Sequence, residues 1–434
     1  MAPEGSENLN ALFVVGTRPE AIKMLPLIAA VRDSQWFHPI VVSTGQHAEL
    51  VAEVLAIDGI TPDVTFDMPK GPRGLNDLFA KVMLDLNQFL LDRFGPPRKA
   101  NVAPYPEGYP SACFVHGDTT SAAAAALTAF HRHLPVVHVE AGLRTSDTLS
   151  PFPEELNRQL ISRIAALHLA PTINNKANLV REGIDYARVF VTGNTAIDAL
   201  RIAAEHRTPY TDPLLADLED DEGTTPVVTV TAHRRENWGQ PLSRIADAVG
   251  LLADQYPHVR FVVALHPNPE VADVLRGRLF GHDNVSLVAP MGYAEFARLL
   301  RRATFAITDS GGIQEEAPSL GTPVLCVRDT TERQEGVSAG TVELVGTDTV
   351  DIIEAARRLL DDPAELADRR ARRNPYGDGH AAERIVKALE YIAYSTEAPT
   401  SFGPGFARSA VLRAGGRDSE QIGFEGGWPE GWAG

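Results

Sequence analysis

The chain has 434 residues and a formal net charge of −17, with 44% hydrophobic and 22% charged residues. That length calls for two large domains rather than one core, and the acidic field argues against nucleic acid and anionic membranes as partners. No apolar run approaches the ~20 residues that span a bilayer, and MAPEGSENLN lacks a secretion signature. The isolated Cys113 and Cys326 form neither a disulfide framework nor a metal cluster, so a reducing cytoplasm is the expected compartment.

Short β-branched runs alternate with amphipathic stretches from end to end, the signature of parallel sheets covered on both faces. A strand at 11–16 runs into GTRPEAIK (16–23), a glycine turn that opens a helix over 20–32. Backbone N–H groups at such a turn face an anion, and Arg18 and Lys23 add cationic donors. An ordinary strand-to-helix turn with proline in the first helical turn reads the same way. Strands at 39–44 and 111–116 follow, the latter ending in HGDTT with Asp118. A strand at 135–140 ends in VEAGLRT with Glu140. PFPEELNR then sets Glu154 four residues before Arg158, so the two are expected to pair on one helix face. Three acids at strand and loop ends suit proton transfer, and mutual repulsion is expected to raise one pKa. Asp118 and Glu140 also read as helix caps, and Glu154 as a first-turn carboxylate. Strands at 167–170 and 188–192 complete the first series.

The acidic, turn-rich segment 208–226 reads as a linker. Beyond it, strands are expected at 227–231, 259–265, 285–289, 305–308 and 323–327, with helices at 242–256 and 293–302. The first of these strands ends in TAHRREN, where His233 and Arg234 can face a diphosphate, and the second ends in ALHPNP with His266. Phe296 reads as a core aromatic or as a platform for a base. After the strand 305–308, DSGGIQEE lets Gly311 and Gly312 bring backbone close to a diphosphate. Ser310 can donate to that group and Glu316 can accept from ribose hydroxyls, although a glycine-rich N-cap has the same look.

The fold class is therefore α/β, two Rossmann-like doubly wound parallel-sheet domains with an interdomain cleft. The first domain is expected over 1–207 and the second over 208–379. A helix at 380–395 can pack back on the first domain, and a mobile tail without periodicity covers 396–434. There is no GxGxxG followed by an acid, no GxxxxGK[ST], and no HxxxH or CxxC, so neither a nicotinamide cofactor nor a metal is expected.

Ten segments in register resemble one family: GTRPEAIKM, TGQH, HGDTTS, VEAGLRT, PFPEELNR, VTGNTAIDAL, HRREN, ALHPNP, DSGGIQEEAP and RDTTER. These are similar to the non-hydrolysing UDP-N-acetylglucosamine 2-epimerases. The resemblance implies a GT-B-type fold, no cofactor, a UDP-sugar as ligand and a homodimer. It also implies interconversion of UDP-GlcNAc and UDP-ManNAc by elimination of UDP to 2-acetamidoglucal and re-addition. Asp118, Glu140, Glu154, Arg158 and His233 fall at catalytic positions. Arg18, Lys23, Phe296, Ser310, Gly311, Gly312 and Glu316 fall at substrate positions, with Phe296 on the uracil. Positions resembling an activator site are Gln46, His47, Arg73, Arg234 and His266. There Ala48, Glu49 and Gly74 stand where activated relatives have more hydrogen-bonding side chains, so weak or absent activation is expected. A paralogous epimerase acting on another UDP-2-acetamido sugar and a GT-B glycosyltransferase are the competing readings. The sequence leaves open which acid removes and which returns the proton.

Overall fold

The computed structural model describes residues 8–69, 74–96, 108–145, 147–149, 151–206, 208–219, 224–331 and 333–403. The chain divides into two compact units, 1–195 with 380–434, and 196–379.

The first unit is built on seven strands: β1 (Leu9–Val15), β2 (Phe37–Ser43), β3 (Val64–Thr65), β4 (Ala112–His116), β5 (Val136–Val139), β6 (Leu167–Ala170) and β7 (Val189–Val191). All pairings are parallel, in the order β3-β2-β1-β4-β5-β6-β7. The winding reverses between β1 and β4, which makes the loops after these two strands the natural place for a ligand. Helices cover both faces, so the strands are almost continuously apolar. Phe13, Val15 and Phe114 face one core, and Leu12, Val14 and Cys113 face the other. Ala122, Ala123, Ala125 and Ala126, in the helix Thr120–His131, are buried in the core cluster of Leu12 and Val14, and Ala124 is buried beside Leu78 and Val82. Their small side chains let this helix sit close to the end of β1. A Cβ on Gly16 would lie 2.8 Å from Ser121 Cβ and 2.9 Å from Thr44 Oγ1, so this crossing admits only glycine.

The second unit repeats the plan with six strands: β8 (Val227–Thr231), β9 (Arg260–Ala264), β10 (Val285–Val288), β11 (Phe305–Thr308), β12 (Val324–Cys326) and β13 (Val342–Leu344). Their order, β10-β9-β8-β11-β12-β13, puts the reversal between β8 and β11. Cys113 and Cys326 are buried strand residues that form no disulfide. No helix among the described residues is long and apolar enough to cross a membrane.

Three expectations about organisation need correcting. The second unit begins at Ala196 rather than 208, because Leu200, Ala203 and Ala204 of the helix Thr195–Glu205 pack with Ala297 and Tyr293. The segment 208–226 is more than a linker. Its 3-10 turn Pro213–Leu218 buries Leu215 and Leu218 against Val227, Val262 and Val288. The tail expected from 396 starts docked on the first unit, where Phe402 N donates to Val191 O at 2.9 Å and its ring lies under Arg384. Residues 404–434 lie outside the described residues. The C-terminal helix Ala381–Tyr394 packs on the first unit, with Ile385, Val386 and Leu389 in the cluster of Leu25 and Ile28.

Candidate active site

In the first unit, side chains tie together the loops that follow β1, β4 and β5. Thr17 and Glu20 form a capping box at the helix Arg18–Arg32, with Pro19 in the first turn. Glu20 Oε2 accepts from Thr17 N at 2.6 Å and Gly16 N at 3.1 Å, while its Oε1 accepts from the Thr119 hydroxyl at 2.7 Å. Arg18 stands at the first residue of that helix, and its buried Nε has no hydrogen-bond partner among the described residues.

Glu140 follows β5 directly and holds φ 61°, a left-handed conformation uncommon outside glycine. Its Oε2 receives Lys23 Nζ at 2.5 Å, and His116 Nε2 lies 2.7 Å away. Burial alone would raise the pKa of Glu140. The Lys23 ammonium and His116 outweigh that effect and hold the carboxyl well below the usual carboxylate range. The expectation of a pKa raised by neighbouring acids therefore fails at Glu140, because a cation rather than a second carboxylate faces it. Nor is Glu140 a helix cap, and the cap beside Asp118 is Thr119, which accepts from Ala122 N.

Arg158 does not pair with Glu154 as expected. Its Nε and Nη2 reach Asp118 Oδ2 at 2.7 and 2.6 Å, and its Nη1 reaches Glu155 Oε2 at 3.0 Å. The helix Glu154–Ile164 buries Glu155, Asn157 and Arg158, and Asn157 Nδ2 also donates to Asp118 O at 2.8 Å. Glu154 occupies the first turn of this helix, as its bland reading had it, and lies half-exposed off the buried face. Its carboxylate has no hydrogen-bond or ion-pair partner among the described residues. Gln46 Oε1 accepts from Ser121 Oγ at 2.7 Å, and His47 is exposed with its N–H bonded to Gly16 O. Arg73 lies outside the described residues.

In the second unit the residues gather at the β8/β11 reversal, around a carboxylate that the sequence reading passed over. Asp309 is fully buried, and its Oδ2 accepts from His233 N at 2.9 Å, Arg234 N at 2.8 Å and Asn237 Nδ2 at 2.9 Å. Asp309 thus fixes the loop after β8 against the loop after β11. Asp309→Ala, which strands three buried donors, should destabilise the second unit by about 3 kcal/mol in urea unfolding. It should also weaken UDP binding, and unchanged stability would show that the loops hold without it.

His233 stacks on His266, with ring centroids 5.5 Å apart and planes within 5°. His266 Nδ1 accepts from Asn268 N at 3.1 Å, which leaves Nε2 as the donor of the neutral ring. Burial, aided by His266 and Arg234 against the pull of Asp309, pushes the His233 pKa below its ordinary value. His233 is then a neutral donor at pH 7 rather than a cation, and positive charge comes from the arginines. Arg234 has a buried Nε without a partner among the described residues. A Cβ on Gly311 would lie 3.0 Å from Arg333 Cζ and 3.3 Å from Arg234 Nη2, so both guanidinium groups border the glycine pair. Arg333, held by Glu315 at 2.8 Å, was missed although RDTTER contains it. Ser310 stands at the N-cap of the helix Gly311–Glu316, as its alternative reading had it, but its side chain makes no cap bond. Glu316 is half-buried on the same short helix, and Phe296 packs half-buried between two apolar clusters. Among the described residues no group of three or more His, Cys, Asp or Glu could hold a metal ion.

Fold and site together define the class of two-unit α/β enzymes of GT-B type, with acidic groups at one strand reversal and arginines beside a glycine pair at the other. The chain matches the family described as UDP-N-acetylglucosamine 2-epimerase over residues 29–390. It is 43% identical over 386 residues to the UDP-N-acetylglucosamine 2-epimerase of Yersinia pestis, covering 88% of this chain and 98% of that one. The Bacillus subtilis enzyme of that name is 41% identical over 397 residues, covering 91% and 99%. The crystal structure of the Neisseria meningitidis UDP-GlcNAc 2-epimerase bound to UDP-GlcNAc superposes with a TM-score of 0.78 at 39% identity, covering 88% and 99%. The chain belongs to the UDP-N-acetylglucosamine 2-epimerase family.

Proposed function

We propose that this enzyme interconverts UDP-GlcNAc and UDP-ManNAc without a redox cofactor. The C2–H beside an acetamido group is too weakly acidic for direct removal. Breaking the C1–O bond first sends its electron pair to UDP and leaves a cationic ring, whose C2 proton a carboxylate can take. The product is 2-acetamidoglucal. Protonation of C2 from the opposite face, with return of a β-phosphate oxygen to C1, completes the epimerisation. Donors preorganised for the diphosphate stabilise the charge that develops there. Arg18, Arg234, His233, Ser310, Gly311 and Gly312 supply them, with Glu316 on the ribose and Phe296 on the uracil.

The observation that carries this reading is Glu140, a carboxylate kept ionised by Lys23 and His116. A base so weak is useless against an ordinary C–H bond and sufficient against one next to a cationic carbon. Asp118 Oδ2 receives two guanidinium nitrogens of Arg158, Glu140 faces one ammonium and a histidine, and Glu154 is not engaged. We assign Glu140 and Glu154 as the pair that exchanges protons with C2. In this scheme Asp118 and Arg158 orient the helix that bears Glu154.

Incubation with UDP-GlcNAc in D2O without acceptor tests the reading, and UDP-ManNAc carrying deuterium at C2 is expected. Release of UDP only on adding an acceptor would identify a glycosyltransferase instead. Saturation kinetics with UDP-ManNAc should be hyperbolic, since Ala48, Glu49 and Gly74 weaken the activator site of Gln46, His47, Arg73, Arg234 and His266. A sigmoidal curve straightened by trace UDP-GlcNAc would refute that part. We further place the enzyme in the cytoplasm, where its free thiols stay reduced, as a homodimer whose mass light scattering can check.

A further inference from the structure

The second unit holds a cavity of 590 Å³ that the epimerase chemistry does not use. It lies at the opposite edge of the sheet from His233 and Asp309. Pro226, Val259 and Thr304 line it, each immediately before a strand (β8, β9 and β11), whereas the candidate site occupies the loops after the strands. Its volume falls in the range of small-molecule pockets.

The charge of the cavity is opposite to that of the chain. Arg301, Arg302, Arg370 and His258 line it, and among the described residues no carboxylate does. Several other arginines of this unit are matched with acids: Arg298 with Glu219, Arg328 with Glu236, Arg333 with Glu315. Arg301 and Arg370 are not. Arg301 Nη1 reaches only Ala204 O at 3.3 Å, and Arg370 Nη2 reaches Ala303 O and Thr304 O at 3.3 Å. Among the described residues neither has an ion-pair partner, and each guanidinium keeps most of its five donors for another acceptor. Capping of loop carbonyls accounts for these contacts but not for guanidinium groups from two separate helices, Tyr293–Arg302 and Pro363–Ala371, around one hollow. Leu320, Leu359, Leu360 and Leu366 add an apolar lining.

We propose that this cavity binds a small organic phosphate, its anionic group on Arg301 and Arg370 and its apolar or aromatic body against the leucines. Arginine forks match phosphate oxygens in pairs, and the leucine lining favours an ester over the bare ion. The proposal is independent of the epimerase reaction, because none of these residues belongs to the catalytic or UDP set.

Calorimetric titration of the full chain with phenyl phosphate and with inorganic phosphate tests it. Phenyl phosphate should bind saturably, at least about tenfold more tightly than inorganic phosphate. Arg301→Gln/Arg370→Gln should weaken it about tenfold or more, with UDP-GlcNAc turnover unchanged. Should the double variant fold poorly, His258→Glu places a like charge at the exposed rim and is expected to weaken binding similarly. Equal phenyl phosphate affinity in wild type and variants would overturn the proposal. So would absence of saturable binding at millimolar concentration, or inorganic phosphate binding as tightly as the ester.

Discussion

Glu140→Gln is expected to lower epimerase turnover by about 10³-fold or more, with UDP affinity within about twofold of wild type. Glutamine keeps the size of the side chain but cannot take a proton, and it gives up the charge that Lys23 and His116 were arranged around. In the proposed function Arg234, Ser310 and the glycine pair in the second unit bind UDP, and the substitution leaves them alone. Single-turnover measurement in D2O separates the two effects. Loss of both UDP release and C2 labelling would place Glu140 at or before C1–O cleavage, as a counter-charge to the cationic ring. Loss of labelling with UDP release preserved would place it on the proton path alone, and retained labelling would remove it from the mechanism. Lys23→Met gives a graded companion. Without the ammonium, burial is opposed by His116 alone and the Glu140 pKa rises. The acid limb of kcat/KM, set in the wild type below the usual carboxylate range, should then move to higher pH. An unmoved limb would show that Lys23 acts only on substrate.

Where a turn residue marks an end of a strand, its limits could be read more directly, and β6 before Pro171, β8 after Pro226 and β11 before Asp309 fall where expected. The strands β3 and β13 escaped because two or three residues carry no period. The sheet order was out of reach for a different reason. The reversals depend on β1 pairing with β4 and β8 with β11, contacts between segments with whole helical units between them. The motifs therefore pointed to loops at strand ends without saying that two of them flank each reversal. Arg158 shows the limit of local spacing. An i,i+4 rule pairs it with Glu154 on an isolated helix, yet the buried face of this helix offers Asp118, and a partner forty residues back replaces the neighbour. His116 and Asp309 were overlooked because each stands beside a more conspicuous residue, in HGDTT and in DSGG. Their roles follow from burial and from the atoms they touch. Residue type alone shows neither.

Acid should weaken the first unit well before its carboxylates titrate. His138 and His168 are register partners on β5 and β6, fully buried, with ring centroids 6.4 Å apart. Burial pushes His138 down to about 4, opposed by its bond to Gly117 O and by Glu140 and aided by Arg144 and His116. Burial pushes His168 to about 3, with His138, Arg188 and Arg144 adding repulsion. Both pKa values lie below that of an unfolded histidine, roughly 6.5. Between the two values the unfolded chain binds protons that the folded one refuses, so stability is full above about pH 6.5 and falls as the pH drops toward the folded values. Each ring should remove roughly 2 kcal/mol between pH 7.5 and 5. Neither nitrogen of His168 has a hydrogen-bond partner among the described residues. His168→Leu should therefore cost little at pH 7.5 and should halve the pH slope of urea-unfolding stability in that window. An unchanged slope would mean that protons enter elsewhere. His168 is the residue to change because His138 Nε2 holds Gly117 O at 2.8 Å, between His116 and Asp118. Replacing His138 would move the site and the stability together, whereas His168 separates the titration of the sheet from the chemistry at its edge.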